Sequence, residues 1–386
     1  MVHQPLRSND IRESNEKLIL NLIFRNGSIS QSQVVQQTGL KAPTVFRIFA
    51  KLEEDGLIQQ CPVQPQRDAE SGVERKGRRP NYYCVEPSSA YAIGVDFSSL
   101  AASVIVVDFN NRVIYNDSVE LESGLDRDAI LLVLQQLIER AISTGAIPRD
   151  RLIGIAIAGP GVVDTVSGTV LEYERISGLS GYSIGNHFEK LFGVPVFVHN
   201  NTSVIAASAY HYGAAREEKS LLAVLVRSGV GGALVNHGSI FLNGTATALE
   251  IGRMVSAPDR RETLESIVSE PSILAILRER FGVTDWTDAC ERLDLQQITP
   301  ALDNVQTVFA TAVQNLFHVF HPEAILIISR FSLLTEFLKT TAERTVPACR
   351  VIPLVYDPVQ ACYGATDIVF KEYFDVKPSR TPEPVG

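Results

Sequence analysis

Two apolar strand pairs, separated by about 125 residues, constrain the fold of this chain more than any other feature. The first pair spans Ala92 to Phe97 and Ser103 to Asp108, and the second spans Leu221 to Val226 and Gly232 to Asn236. Such a repeat predicts a duplicated α/β domain with a cleft between its two halves. The pattern also predicts strands at Arg112 to Tyr115, Leu152 to Ala158 and Ala324 to Ile328, and an amphipathic helix at Ala129 to Ile142.

The residues ahead of this repeat carry a different charge. The chain of 386 residues has a formal net charge of −9, but residues 1–85 contain 12 basic and 9 acidic residues, against 23 and 35 in the remainder. A small basic module before a large acidic one is typical of local contact with DNA, although a solvated surface would give the same imbalance. We therefore predict two domains, 1–86 and 87–386.

The first module has the pattern of a helix-turn-helix. Apolar residues on one face predict a first helix over Asn15 to Phe24. Ser30 with Gln33 predicts a capped second helix that ends at Gly39, and Pro43 fits only the first turn of a third helix. In that third helix the positions with core spacing are Val45, Ile48, Phe49 and Leu52.

The other side of the third helix supplies the candidate DNA contacts. These residues are Lys41, Pro43, Thr44, Arg47 and Lys51. Strands predicted at Gly56 to Ile58 and Tyr82 to Val85 would form a wing, from which Arg78 and Arg79 could reach phosphates or a minor groove. A helical bundle with a basic linker is the alternative, but the segment T-G-L-x-x-x-T-V-x-R from Thr38 to Arg47 closely resembles winged-helix repressors.

The second module contains three sets of glycine-rich motifs. The segment Ile153 to Asp164 contains G-P-G-x-V-D, Gly229 to Gly232 form a glycine-rich loop, and Gly238, Gly244 and Glu250-Ile251-Gly252 follow. Together these motifs resemble those of the ROK family of sugar kinases and repressors, in which the second set is a phosphate loop. The resemblance implies an actin/hexokinase-like, ribonuclease H-type fold of two lobes. It also implies a DNA-binding regulator of carbohydrate metabolism genes that acts as a homodimer or higher homo-oligomer.

Three departures from the family pattern imply that kinase activity is lost. The first phosphate loop, D-x-G-G-T in the kinases, reads Asp96-Phe97-Ser98-Ser99-Leu100, so the glycines that would let backbone N–H groups close on phosphate are missing. Arg227 and Ser329-Arg330 replace further glycine positions. Asn201 stands where the kinases carry the catalytic aspartate, and an amide cannot act as a general base. We predict no catalytic residue.

The same resemblance implies a sugar site without a metal. The family's sugar contacts correspond to Asn200, Asn201, Glu250, Arg253 and Glu265. Arg253 replaces a histidine zinc ligand and the cysteine cluster that follows is absent, so we predict neither zinc nor another cofactor. A guanidinium at this position could bind a sugar acid or phosphosugar, or it could simply pair with Glu250 or Glu265.

These features favour a ligand-responsive repressor that binds a double-stranded operator. A constitutive or partner-controlled DNA-binding scaffold is the alternative, and an active sugar kinase would require the missing phosphate loops and base. The sequence contains no apolar run of membrane-spanning length and its first residues are polar, so we expect a cytoplasmic protein with no membrane partner.

Overall fold

The N-terminal part of the protein is a winged helix-turn-helix. The computed structural model describes residues 8–61, 81–122, 124–242, 244–246, 248–257 and 260–375. In the first part the strands form one sheet in the order β1-β3-β2. The elements are α1 (Ser8–Asn26), β1 (Ile29–Ser30), α2 (Gln31–Thr38), α3 (Ala42–Glu54), β2 (Ile58–Gln60) and β3 (Tyr82–Val85).

Local signals in the sequence account for these helix ends. The Ser30 hydroxyl accepts a hydrogen bond from the Gln33 N–H, and the Gln33 side chain accepts one from the Ser30 N–H, which completes the predicted capping box. Gly39 ends α2 with φ +69°, a left-handed conformation that glycine adopts without strain. The first helix is longer than predicted, because it begins at Ser8 rather than Asn15.

The first lobe of the second module is built on a five-stranded sheet in the order β11-β7-β4-β5-β6. A smaller sheet, β10-β9-β8, lies after β7. Short 3₁₀ turns at Pro87–Ser89 and Arg149–Arg151 precede β4 and β7. The elements are β4 (Tyr91–Phe97), β5 (Ala101–Asp108), β6 (Val113–Glu120), α4 (Arg127–Thr144), β7 (Leu152–Gly159), β8 (Val162–Asp164), β9 (Thr169–Glu172), β10 (Tyr182–Ser183), α5 (Ile184–Phe192) and β11 (Val196–Asn200).

The second lobe is built on another five-stranded sheet, in the order β14-β13-β12-β17-β18. A 3₁₀ turn, Ile251–Arg253, follows β14, and a group of helices follows the hairpin of β15 and β16. The elements are α6 (Asn201–Tyr212), β12 (Ser220–Val226), β13 (Val230–Asn236), β14 (Ser239–Ile240), β15 (Val255–Ala257), β16 (Arg260–Thr263), α7 (Leu264–Val268), α8 (Glu270–Phe281), α9 (Trp286–Arg292), α10 (Leu295–Ala301), α11 (Asp303–Phe320), β17 (Ala324–Ser329), α12 (Ser332–Thr345), β18 (Arg350–Val355) and α13 (Pro358–Phe374).

The two large sheets have the same topology. In each, the first strand pairs antiparallel with the second and parallel with the fourth, while the third and fifth strands lie at the edges. The remaining pairs also match, antiparallel between the second and third strands and parallel between the fourth and fifth. This correspondence confirms the predicted duplication and places the ends of β4 and β12 at equivalent positions in the two lobes.

Two helices connect the lobes to each other. Helix α6 packs on the second sheet and α13 packs on the first, and the two helices pack together. Their backbones approach closely at Gly364, where an added Cβ would lie 2.7 Å from the carbonyl oxygen of Val204. A larger side chain at residue 364 would therefore force the helices apart.

An aromatic cluster joins the winged helix-turn-helix to the first lobe. The Phe24 ring at the end of α1 lies 4.8 Å from the Phe370 ring and 5.2 Å from the Phe374 ring, measured between centroids. The Phe109 ring, directly after β5, lies 5.8 Å from the Phe24 ring. Ring pairs at these separations add to the stabilisation from burial, so the two modules share a packed hydrophobic contact.

Among the described helices, none is both long enough and apolar enough to cross a membrane.

Candidate functional site

Helix α3 presents a buried face and an exposed face. Val45, Ile48, Phe49 and Leu52 are all buried, as the spacing predicted. On the opposite side Lys41, Pro43 and Arg47 are exposed, and Thr44 is half-buried. Pro43 occupies the first turn, where its missing N–H leaves no backbone hydrogen bond unmade. The exposed face is therefore free to contact another molecule.

Lys51 differs from the other predicted DNA contacts. Its ammonium group forms an ion pair with Glu16 of α1, and Arg12 binds the other carboxylate oxygen of Glu16. Partial burial acts to raise the pKa of Glu16, but these two hydrogen bonds hold it below its usual range. Lys51 thus ties α3 to α1 within the module. Arg78 and Arg79, the predicted wing contacts, lie outside the described residues.

The amides predicted to bind sugar lie at the start of α6. Asn200 caps this helix by accepting a hydrogen bond from the Ser203 N–H at 3.2 Å, and it donates one to the Gly161 carbonyl at 2.8 Å. The side-chain oxygen of Asn201 accepts from the Thr202 N–H at 2.8 Å. Both amides are buried, and the Asn200 bond fixes the start of α6 against the G-P-G segment.

The hairpin of β12 and β13 lies between these amides and Glu265. A Cβ added to Gly231 would lie 2.4 Å from the Thr202 hydroxyl, and one added to Gly229 would lie 2.8 Å from a Glu265 carboxylate oxygen. Because neither residue has a side chain, the β12–β13 hairpin fits between the start of α6 and Glu265. The structure thus brings these parts of the predicted sugar site to the same region of the molecule.

Carboxylates and guanidinium groups alternate around Glu250 and Glu265. Arg253 contacts Glu172 of β9 at 2.7 Å and Glu250 at 3.2 Å. Arg175 lies 3.8 Å from Glu265. Burial raises the pKa of Glu250, Arg253 opposes this shift, and the nearby charges of Glu265 and Glu172 add to it. Each of the two arginines already has a carboxylate partner.

Glu172 and Arg175 were missed by sequence reasoning. They belong to the first lobe, whereas their partners Arg253 and Glu265 belong to the second, so no sequence spacing connects them. A signal was nevertheless present, because the charged residues Glu172, Glu174 and Arg175 cluster eight residues after Asp164, the end of the G-P-G-x-V-D segment. Arg253 pairs with Glu250, as one of the predicted alternatives proposed, and with Glu172 rather than Glu265.

A second cluster lies where the first strands of the two lobes end. Asp96 of β4 is 2% exposed, and its carboxylate lies 3.5 Å from the Arg227 guanidinium at the end of β12. The Tyr356 hydroxyl donates a hydrogen bond to the same carboxylate, and the Arg227 guanidinium stacks over the Tyr356 ring at 4.3 Å. Burial raises the pKa of Asp96, although Arg227 and Tyr356 oppose this shift.

The side chain of Ser98 fixes the loop that follows Asp96. The Ser98 hydroxyl accepts hydrogen bonds from the N–H groups of Leu100 and Ala101, at 3.2 and 3.3 Å. It also accepts one from Arg227 at 3.3 Å. The loop and the arginine of the opposite lobe are therefore in direct contact, and Ser98 and Arg227 are both buried.

Arg330 extends this cluster. It binds Glu270 through its side chain at 2.9 Å and through its backbone N–H at 3.3 Å, and Glu270 is 1% exposed. The Glu270 N–H donates to the Arg227 carbonyl at 2.8 Å. Arg227 and Arg330, both predicted to stand at glycine positions of the kinases, are thus linked through the buried Glu270.

No metal centre is formed by the described part of the chain. Within those ranges, no group of three or more His, Cys, Asp or Glu residues is placed to hold a metal ion. The predicted absence of zinc and of other cofactors stays a prediction.

This combination of parts defines a class of protein: a winged helix-turn-helix joined to a two-lobed domain with a sugar-kinase-like fold. The chain belongs to the ROK family, whose sequence profile matches residues 92–356. A profile for winged helix-turn-helix DNA-binding domains matches residues 12–59, which include α2 and α3. The predicted family and fold class are both confirmed.

Relatives of the chain include named transcription regulators. The chain is 23% identical over 359 residues to the xylose repressor of Caldicellulosiruptor bescii, an alignment that covers 86% of this chain and 87% of that protein. It is 25% identical over 248 residues to the DNA-binding transcriptional dual regulator NagC of Escherichia coli (strain K12), covering 64% of this chain and 59% of that protein.

Solved structures of similar fold include both regulators and kinases. A ROK family transcriptional regulator, a homologue of the E. coli MLC protein, aligns with a TM-score of 0.75 at 20% identity and covers 95% of this chain and 98% of its own. A ROK family glucokinase from Streptomyces griseus, in complex with glucose and AMPPNP, aligns with a TM-score of 0.62 at 17% identity, covering 72% and 99%.

The buried cluster around Asp96 gives a prediction for stability. Arg227→Met leaves the Asp96 carboxylate buried without its cation, and removing one partner of such a pair costs about 3 to 5 kcal/mol of unfolding free energy at neutral pH. Loss of Arg227 also raises the pKa of Asp96 further. The deficit should therefore shrink as the pH falls and the carboxyl group takes up a proton.

Urea unfolding measures this effect, with circular dichroism and with the fluorescence of Trp286, the only tryptophan in the chain. The matched control is Arg253→Met, because its ion pairs with Glu172 and Glu250 are exposed and each contributes less than about 1 kcal/mol. Adding Asp96→Asn to Arg227→Met should restore most of the loss. Equal destabilisation by Arg227→Met and Arg253→Met would contradict the assignment.

Proposed function

We propose that the protein is a transcription regulator of carbohydrate metabolism genes, most simply a repressor, and that it binds a double-stranded operator through residues 1–86. The observation that carries this proposal is the exposed face of α3, which presents Lys41, Pro43 and Arg47 to solvent. In a helix-turn-helix the second helix, here α3, enters the major groove. Exposed basic residues in its first turns are suited to contact base edges and phosphates. The names of the relatives, xylose repressor and NagC, support the same class of function.

A homodimer or higher homo-oligomer is part of this proposal. A helix-turn-helix module reads one half-site, so two copies related by a twofold axis bind a pseudo-palindromic operator. The spacing of the half-sites then depends on how the two large domains hold their winged helices. Cytoplasmic localisation follows from the proposed contact with DNA.

We infer that the large domain binds a neutral sugar or sugar derivative. Glu250, Glu265, Asn200 and Asn201 offer carboxylate and amide groups suited to hydroxyl recognition. Arg253 has two carboxylate neighbours and Arg175 has one, so neither guanidinium is left to balance an anionic ligand. This favours a neutral sugar over a sugar acid or phosphosugar.

We also propose that the domain does not phosphorylate its ligand. Arg227 lies against the first loop of the opposite lobe, where it contacts Ser98, and its charge is matched by Asp96. Asn201 cannot take a proton from a sugar hydroxyl. Arg330, held by the buried Glu270, occupies another glycine position of the kinases.

DNA binding is tested by Arg47→Ala in the full-length protein. Operator sequences are first selected from a random duplex library, and the affinity for the selected duplex is then measured by fluorescence anisotropy. Loss of a base-contacting arginine should weaken binding about tenfold or more. The control is Glu54→Ala, an exposed residue at the other end of α3, which should bind at least as tightly as the wild type. Equal affinity of the two variants would show that α3 does not read DNA.

Ligand binding is tested by thermal unfolding of the full-length protein with neutral sugars, sugar acids, phosphosugars or ATP with magnesium. A molecule that binds the folded state raises the melting temperature by mass action. We expect a shift with a neutral sugar, a smaller one in Glu265→Gln, and none with ATP. A shift with ATP would contradict the loss of kinase function, whereas no shift with any sugar would favour the scaffold alternative.

A further inference from the structure

Phe46 is an exposed aromatic residue in the middle of α3. The residue is 50% exposed to solvent, although its neighbours Val45 and Phe49 are fully buried. The helix needs no apolar residue at this position for its own packing, since Val45, Ile48, Phe49 and Leu52 already complete the buried face. The phenyl ring is therefore available for contact with another molecule, and what it contacts depends on the residues around it.

The ring is part of a short apolar strip. Pro43, Phe46 and Ala50 are all exposed, and their spacing of three and four residues puts them one above the other on one side of α3. Arg47 lies beside this strip and is also exposed. The exposed side of α3 thus combines an apolar strip with a positive charge.

Charge along α3 restricts what this strip can contact. Lys41 and Arg47 are exposed in the first half of the helix, whose N-terminus also carries the positive end of the helix dipole. Glu53, Glu54 and Asp55 are exposed at its other end. A polyanion such as DNA is therefore attracted to the half of α3 that carries Pro43 and Phe46, and repelled from the acidic end.

We propose that Phe46 is a specificity-determining residue that contacts the C5-methyl group of a thymine in the major groove. Thymine is the base that presents a methyl group in this groove, and apolar side chains recognise it by direct contact. Arg47, beside the ring, contacts a neighbouring base or phosphate. This proposal rests on the proposed function of α3 as the DNA-reading helix, and it adds the base that one of its residues selects.

Replacing each thymine of the selected duplex in turn with deoxyuridine tests the contact, because this change removes the methyl group alone. The dissociation constant of the wild-type protein should rise about fourfold at one position of each half-site, the effect of losing one buried methyl group. Phe46→Ala should bind the unmodified duplex more weakly and should no longer respond at that position. Ile11→Ala, which removes an exposed apolar side chain from α1, should respond as the wild type does.

The outcomes separate this proposal from the function on which it rests. If Arg47→Ala loses affinity but Phe46→Ala keeps the wild-type response to deoxyuridine, α3 reads DNA and the thymine contact is wrong. The thymine contact is also wrong if the wild-type protein responds to no deoxyuridine substitution. If the wild type enriches no duplex from the library, the proposed DNA-binding function fails, and the role of Phe46 fails with it.

Discussion

The buried pair of Asp96 and Arg227 is the interaction on which the large domain depends. Asp96 lies near the end of β4 and Arg227 directly follows β12, so a single contact joins the ends of the first strands of the two lobes. A buried carboxylate is costly unless a cation and hydrogen bonds compensate it, and here Arg227 and Tyr356 provide both. The protein therefore supplies from its own chain the positive charge that this carboxylate requires.

Helix α13 links this domain to the winged helix-turn-helix by direct packing. It lies against the first sheet, contacts α6 closely at Gly364, and ends in Phe370 and Phe374, which pack on Phe24. Helix α6 begins at Asn201, in the proposed sugar site. A change in how the lobes meet would thus reach α1 through contiguous side chains, which is the physical basis that a ligand-responsive regulator requires.

Short-range patterns were predictable and long-range pairs were not. The capping box of Ser30, the buried face of α3 and seven strands of the two large sheets follow from local spacing, and the structure confirms them. The edge strands β11, β14 and β18 were not predicted. The pairing of Lys51 with Glu16, and of Arg253 with Glu172, depends on how separate elements pack, which no local pattern records. Among the helices of the large domain only α4 was predicted, because the fold prediction rested on the repeat of strands.

We propose that sugar binding in the large domain controls DNA binding by the winged helix. The direct measurement is the affinity of the full-length protein for its selected duplex, with and without the sugar that raises its melting temperature. The sugar should weaken DNA binding by about 5- to 150-fold, the usual range of coupling between two sites. Phe24→Ala should retain the sugar-induced thermal shift and lose most of this coupling. An unchanged DNA affinity of the wild-type protein in the presence of bound sugar would contradict the account.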